Sequence, residues 1–147
     1  MKRVVLSLRA LVFYAGYALL TAWFGITGIV VFRWLPFPTR SRYILGWNRM
    51  TIAWLRLTCA VDYTIQGLEY IPDGPVVVLS KHNSQWETFY LQLLFQPLAT
   101  IMKKEILNIP GFGWGIRLLR PIAIDRGKPR DAMRQMLEER SEEHTSE

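Results

Sequence analysis

Residues 76–94 read VVVLSKHNSQWETFYLQLL. Four apolar residues, three of them β-branched, run into a polar stretch, and from Trp86 the apolar residues return at helical spacing. A short continuous apolar run is expected to be a strand buried on both faces, and the 86–95 pattern a helix. Ser84 followed three residues later by Glu87 is a capping-box signature, which starts the helix at Ser84. A strand feeding a helix through a polar turn is the unit of an α/β layer, whose sites form at the C-terminal ends of strands. His82 stands at that end and Glu87 on the first helical turn.

Working outward, residues 61–66 alternate apolar and polar as a half-buried strand would. GLEYIPDGP, 67–75, supplies turn residues. Downstream, 98–102 reads as a strand, 113–119 as a short helix, 122–124 as a strand and 129–139 as a helix. Residues 61–139 therefore read as an α/β domain. The N-terminal region, 1–60, is of another kind. From Ala10 to Phe32 no residue is charged, which is long enough for a helix to cross a hydrocarbon core. Tyr14, Tyr17, Trp23 and Trp34 suit a membrane interface. The stretch is long for a signal peptide, and no small-x-small site precedes Arg33. Gly16, Gly25 and Gly28 permit either a span or a re-entrant hairpin. After LPFPTR, 35–40, an amphipathic helix is expected over 41–60, with Arg42, Arg49 and Arg56 on one stripe. Such a stripe suits anionic headgroups or a solvated face.

The chain has 147 residues and a net charge of +6; half of it is hydrophobic. A basic, apolar protein points to an anionic partner, and the long apolar run favours a membrane surface over nucleic acid. Cys59 is the sole cysteine, so an intrachain disulfide is excluded, and the thiol is expected to be buried.

Two readings of His82 and Glu87 stand side by side. In one, Glu87 only completes the cap and His82 is a loop residue. In the other, the carboxylate orients the imidazole, whose second nitrogen removes a proton from a substrate hydroxyl. No G-x-S-x-G elbow surrounds Ser84, which argues against a hydrolase triad. No ligand spacing supports a metal.

KHNSQWETF resembles the H-x4-D block of the glycerolipid acyltransferases, in particular the bacterial 1-acylglycerol-3-phosphate acyltransferases, with Glu87 where aspartate is usual. The resemblance continues through IMKKEILNIPGFGWGIRLLRPIAIDR, where Lys104, Glu105, Leu107, Ile109, Pro110, Gly113, Trp114, Ile124 and Arg126 fit the family pattern. The family's second block opens with glycine and carries an aromatic before the isoleucine; here Arg120 and Ala123 take those places.

The resemblance implies an α/β acyltransferase domain behind membrane-associated helices. His82 would be the general base and Glu87 its carboxylate. Arg126 would bind the glycerophosphate, with Lys104 a further contact to phosphate or oxyanion. The acceptor implied is lysophosphatidic acid, a membrane lipid, and the product phosphatidic acid. The donor is acyl-CoA or acyl-acyl carrier protein, with no metal or bound cofactor. The location implied is the cytoplasmic face of a bacterial inner membrane. A non-catalytic membrane-binding module is the competing class. Residues 140–147, RSEEHTSE, read as a non-native tail, and the family's E-G-T-R-like block is missing before it. On that reading the chain is the N-terminal part of an enzyme and is inactive by itself.

Overall fold

The uncharged stretch forms one continuous helix, α1 (Lys2–Val30). The structure, a computed structural model, describes residues 2–81 and 83–125. His82, Arg126, the helix expected over 129–139 and the 140–147 tail lie outside the described residues. Along α1, Ala10, Phe13, Tyr17, Leu20, Thr21, Phe24, Gly25 and Gly28 are buried or half-buried, three or four residues apart, so one stripe faces the protein. The other side, including Leu11, Tyr14, Leu19, Trp23, Ile26 and Val30, is apolar and exposed. Among the described residues α1 is the one helix long and apolar enough to cross a membrane.

The second helix, α2 (Phe37–Cys59), starts before the expected position 41. Pro38 sits in its first turn, where a proline lacks no helical hydrogen bond, so the prolines open the helix and do not delay it. The helices run antiparallel. Trp54 Nε1 donates to the Phe13 carbonyl at 3.2 Å, Thr27 and Tyr43 share a hydroxyl hydrogen bond, and Phe32 stacks on Tyr43 with ring centroids 3.8 Å apart. Arg42, Arg49 and Arg56 are all exposed, and Arg56 pairs with Asp62 at 2.7 Å in open solvent. Cys59 is half-buried, against the expectation of full burial, because it lies in the last turn of α2.

The inner face of α2 builds the core. Trp47 packs edge-on against Phe89, with centroids at 5.0 Å, and against Phe112, with centroids at 5.7 Å. Tyr17, Leu20 and Phe24 of α1 close around them, while Ile44, Leu118 and Leu119 form a second cluster. Phe89 belongs to α3 (Gln85–Leu94) and Phe112 to α4 (Phe112–Ile116), so α2 ties the N-terminal hairpin to both of these later helices. At Gly25, α1 touches the turn entering α4: a Cβ there would collide with the Gly111 carbonyl oxygen. Gly111 itself has φ 75°, which its lack of a side chain permits.

Between α3 and α4 lies β1 (Ile101–Lys103), and after α4 comes β2 (Ile122–Ile124). They pair in parallel, with Ile101 opposite Ile122 and Lys103 opposite Ile124. β2 falls where expected, whereas β1 begins three residues later than the expected strand at 98. Neither 61–66 nor 76–79 is a strand, and Val77 and Leu79 are 79% and 93% exposed, not buried on both faces. A strand exists only through a neighbour's ladder, and among the described residues the ladder runs between β1 and β2 alone. The 61–66 segment is held by its side chains, Tyr63 packing on Trp86 and Tyr90 of α3. Helices joined to a parallel strand pair thus make a partial α/β layer.

Candidate active site

Ser84 precedes α3 with extended backbone, φ −150° and ψ 173°, and turns its side chain back over the helix start. Its backbone N–H donates to Glu87 Oε2 at 2.8 Å, its hydroxyl donates to the same oxygen at 2.8 Å, and Trp86 N–H donates to Ser84 Oγ at 3.2 Å. The capping box is therefore formed, satisfying amides that a helix start leaves unpaired. The Ser84 hydroxyl is the main reason that the Glu87 carboxyl is held below its ordinary value of 4.5, opposed by some desolvation and helped by the nearby backbone amides. Glu87 is thus a carboxylate at neutral pH. Both Ser84 hydrogen bonds end on Oε2.

The cap fixes where the first turn of α3 points. Gln85, Thr88 and Phe89 border a cavity of about 810 Å³. Its opposite wall is α1, through Tyr17, Ala18, Thr21, Ala22 and Ile26. Met102, Ile106, Ile109 and Trp114 add to the lining, which is mostly apolar, with polar side chains at Tyr17, Thr21, Gln85, Thr88 and Thr100. Ligand pockets have this character: a concave apolar body with a few placed polar groups.

Of the residues proposed from sequence, the structure places two. Glu87 is on the first turn of α3, its carboxylate bound to Ser84. Lys104 is exposed and follows β1 directly; it does not line the cavity, although Met102 and Ile106 on either side of it do. Parallel pairing ends β1 and β2 at the same edge, with Lys103 opposite Ile124, so Lys104 lies just past that edge. Sequence reading missed the role of α1 as a cavity wall. The signal was present as small residues, Ala18 and Ala22, four apart on one face of the helix.

These features describe a partial α/β layer in which a capped carboxylate shares its helical turn with Gln85 and Thr88, two residues of an apolar cavity walled by a long apolar helix; the carboxylate itself does not line the cavity. The chain belongs to the acyltransferase family, whose family model matches residues 62–146. It is 39% identical over 139 residues to a 1-acyl-sn-glycerol-3-phosphate acyltransferase of Pseudomonas aeruginosa, covering 94% of this chain and 54% of that protein. A Saccharomyces cerevisiae protein of the same name is 28% identical over 80 residues, 54% of this chain and 26% of the yeast protein. Lysocardiolipin acyltransferase 1 of Danio rerio is 23% identical over 101 residues, 65% of this chain and 25% of that protein. The chain thus spans about half the length of the Pseudomonas relative and a quarter of the other two. No solved structure matches.

Proposed function

We propose that the full-length protein transfers an acyl chain from a thioester donor to the free hydroxyl of 1-acyl-sn-glycerol-3-phosphate, giving phosphatidic acid. The observation that carries this reading is the cavity of about 810 Å³, mostly apolar, with Gln85 and Thr88 of the first turn of α3 in its wall. An acyl chain occupies the apolar part, and the reacting groups meet beside that first turn. His82 removes the proton from the acceptor hydroxyl as its oxygen bonds to the thioester carbonyl carbon. The carbon–sulfur bond then breaks, and the thiol leaves with the proton carried by the imidazolium. Glu87 steadies that imidazolium through Oε1, the oxygen not bonded to Ser84.

Arg126 grips the acceptor phosphate, for which a guanidinium has the right fork of donors, and Lys104 adds a second positive charge. The shared edge of β1 and β2 supports this, because Lys104 lies one residue and Arg126 two residues past it along the chain. The donor is acyl-CoA or acyl-acyl carrier protein, and the thioester supplies the activation without a resident cofactor. The exposed apolar side of α1 lies in the bilayer that holds acceptor and product, at the cytoplasmic face of a bacterial inner membrane. The name of the Pseudomonas relative points to the same acceptor.

The test is an acyl-transfer assay on the full-length protein in phospholipid vesicles, supplied with lysophosphatidic acid and each thioester donor in turn. Phosphatidic acid forms in step with thiol release. Vesicle binding without acyl transfer from either donor would point to a membrane-binding module.

A further inference from the structure

Two buried polar side chains, Asn48 and Gln92, cross the apolar core outside the cavity and lead to Thr100 in its wall. Asn48 of α2 is 0% exposed, although it sits among Ile44, Leu45, Trp47 and Ile52 on the buried stripe. Its Nδ2 donates to Gln92 Oε1 at 2.7 Å and to the Phe89 carbonyl at 3.3 Å, both on α3. Gln92, 4% exposed, donates onward through Nε2 to Thr100 Oγ1 at 3.4 Å. The Thr100 carbonyl in turn accepts from Ile122 N–H at 3.0 Å. A chain of hydrogen bonds thus runs from the N-terminal hairpin through α3 to both strands.

Packing alone does not explain it. Among the described residues Asn48 Oδ1 is buried with no hydrogen-bond partner, and so is Thr51 Oγ1 one turn along. A leucine at 48 would fill similar space and remove that orphaned oxygen, but it would leave the buried Gln92 Oε1 without its donor; buried polar networks of this kind serve registry better than stability. We infer that Asn48 is a positioning residue for acyl transfer: through Gln92 and the Phe89 carbonyl it fixes the roll of α3, and with it the direction of Glu87 on the same first turn as the cavity residues Gln85 and Thr88. The inference rests on the acyl-transfer reading above. Glu87 and Gln92 are five residues apart, about 140° around the helix, so Asn48 grips α3 on a side turned away from the carboxylate. A roll of about 20°, at a radius of about 3 Å, moves the Glu87 Cβ by about 1 Å. A displacement of about 1 Å in a reacting group costs on the order of 100-fold in rate.

The experiment compares the full-length enzyme in vesicles with Asn48→Gln, Gln92→Asn, the reciprocal double exchange and Asn48→Leu. Each single exchange changes one arm by a methylene, and the double exchange restores the combined reach. Readouts are kcat and KM for lysophosphatidic acid, and amide hydrogen exchange over the first turn of α3. Asn48→Gln is expected to lower kcat by about 10- to 100-fold with KM within about twofold. Exchange at residues 85–89 quickens while that of α2 holds, and the double exchange recovers most of both losses. Asn48→Leu, which leaves Gln92 Oε1 without its donor, shows the same kcat deficit in a protein that melts cooperatively, though below the parent. Parent-like kcat in the single variants, or a deficit that the double exchange leaves uncorrected in folded protein, overturns the positioning role. An inactive parent overturns the acyl-transfer reading first, and this inference with it.

Discussion

Gly25→Ala and Gly46→Ala place the same methyl group on two helices with opposite consequences. At Gly25 the new Cβ overlaps the Gly111 carbonyl oxygen and comes within 2.7 Å of its Cα and 2.8 Å of its carbonyl carbon. These are backbone atoms and cannot rotate away. Ordinary carbon contacts begin near 3.5 Å, so α1 must lift from the turn into α4 by roughly 1 Å, which forfeits a quarter to a half of the dispersion energy there. Overpacking of this kind costs about 1–3 kcal/mol, offset by about 1 kcal/mol of helix propensity. The net expectation is a loss of up to about 2 kcal/mol. At Gly46 the nearest atom is Phe24 Cε1 at 3.8 Å, an ordinary contact, so the substitution gains about 0.5–1 kcal/mol. Unfolding of detergent-solubilised protein, followed by far-ultraviolet circular dichroism, measures both. A Gly25→Ala protein stabilised as much as Gly46→Ala would refute the close approach of α1 to α4.

The same geometry sets the outcome of other perturbations. Ser84→Ala removes the helix cap and is expected to cost about 1 kcal/mol, seen as faster amide exchange at the start of α3. The carboxyl of Glu87 titrates lower in the folded chain than its ordinary 4.5, so its capping contribution is fully present above that value. The contribution fades as pH falls through the lower, folded value; Glu87→Gln abolishes this acid dependence of α3 exchange. Arg120 has φ 51° and its guanidinium lies 5.5 Å from the centre of the Phe37 ring. Arg120→Gly relieves about 1 kcal/mol of backbone strain, whereas Arg120→Ala keeps the strain and loses the ring contact, so glycine is the more stable of the two in a thermal melt. Ala22→Trp fills part of the cavity, and on the proposed function the full-length enzyme then turns over short-chain acceptors better than long-chain ones, which product analysis by mass spectrometry reads directly.

Legibility in the sequence tracked the range of the forces involved. The capping box at Ser84 and Glu87 needs only four consecutive residues, and it is formed. The long helices declare themselves by local periodicity, apart from the early start of α2 at its prolines. The apolar run at 76–79 says that those residues avoid water, but only a neighbour's ladder makes a strand, and that information is not local. Arg120 shows how a departure from an expected pattern becomes physics: where the resemblance leads one to expect glycine, this chain has a left-handed backbone position. The cavity and the Asn48 chain both depend on how α1 and α2 meet α3. Their traces in the sequence were small residues on a bulky helix and a polar residue within a buried stripe.

The central claim is that the SKHNSQWETF segment does chemistry as well as capping a helix. It is tested most directly by substituting His82→Ala in the full-length protein and measuring lysophosphatidic acid acylation and vesicle binding together. Acylation lost with vesicle binding and α3 protection intact is the predicted result. Acylation at the parent rate would contradict the account and leave Ser84 and Glu87 as a helix cap alone.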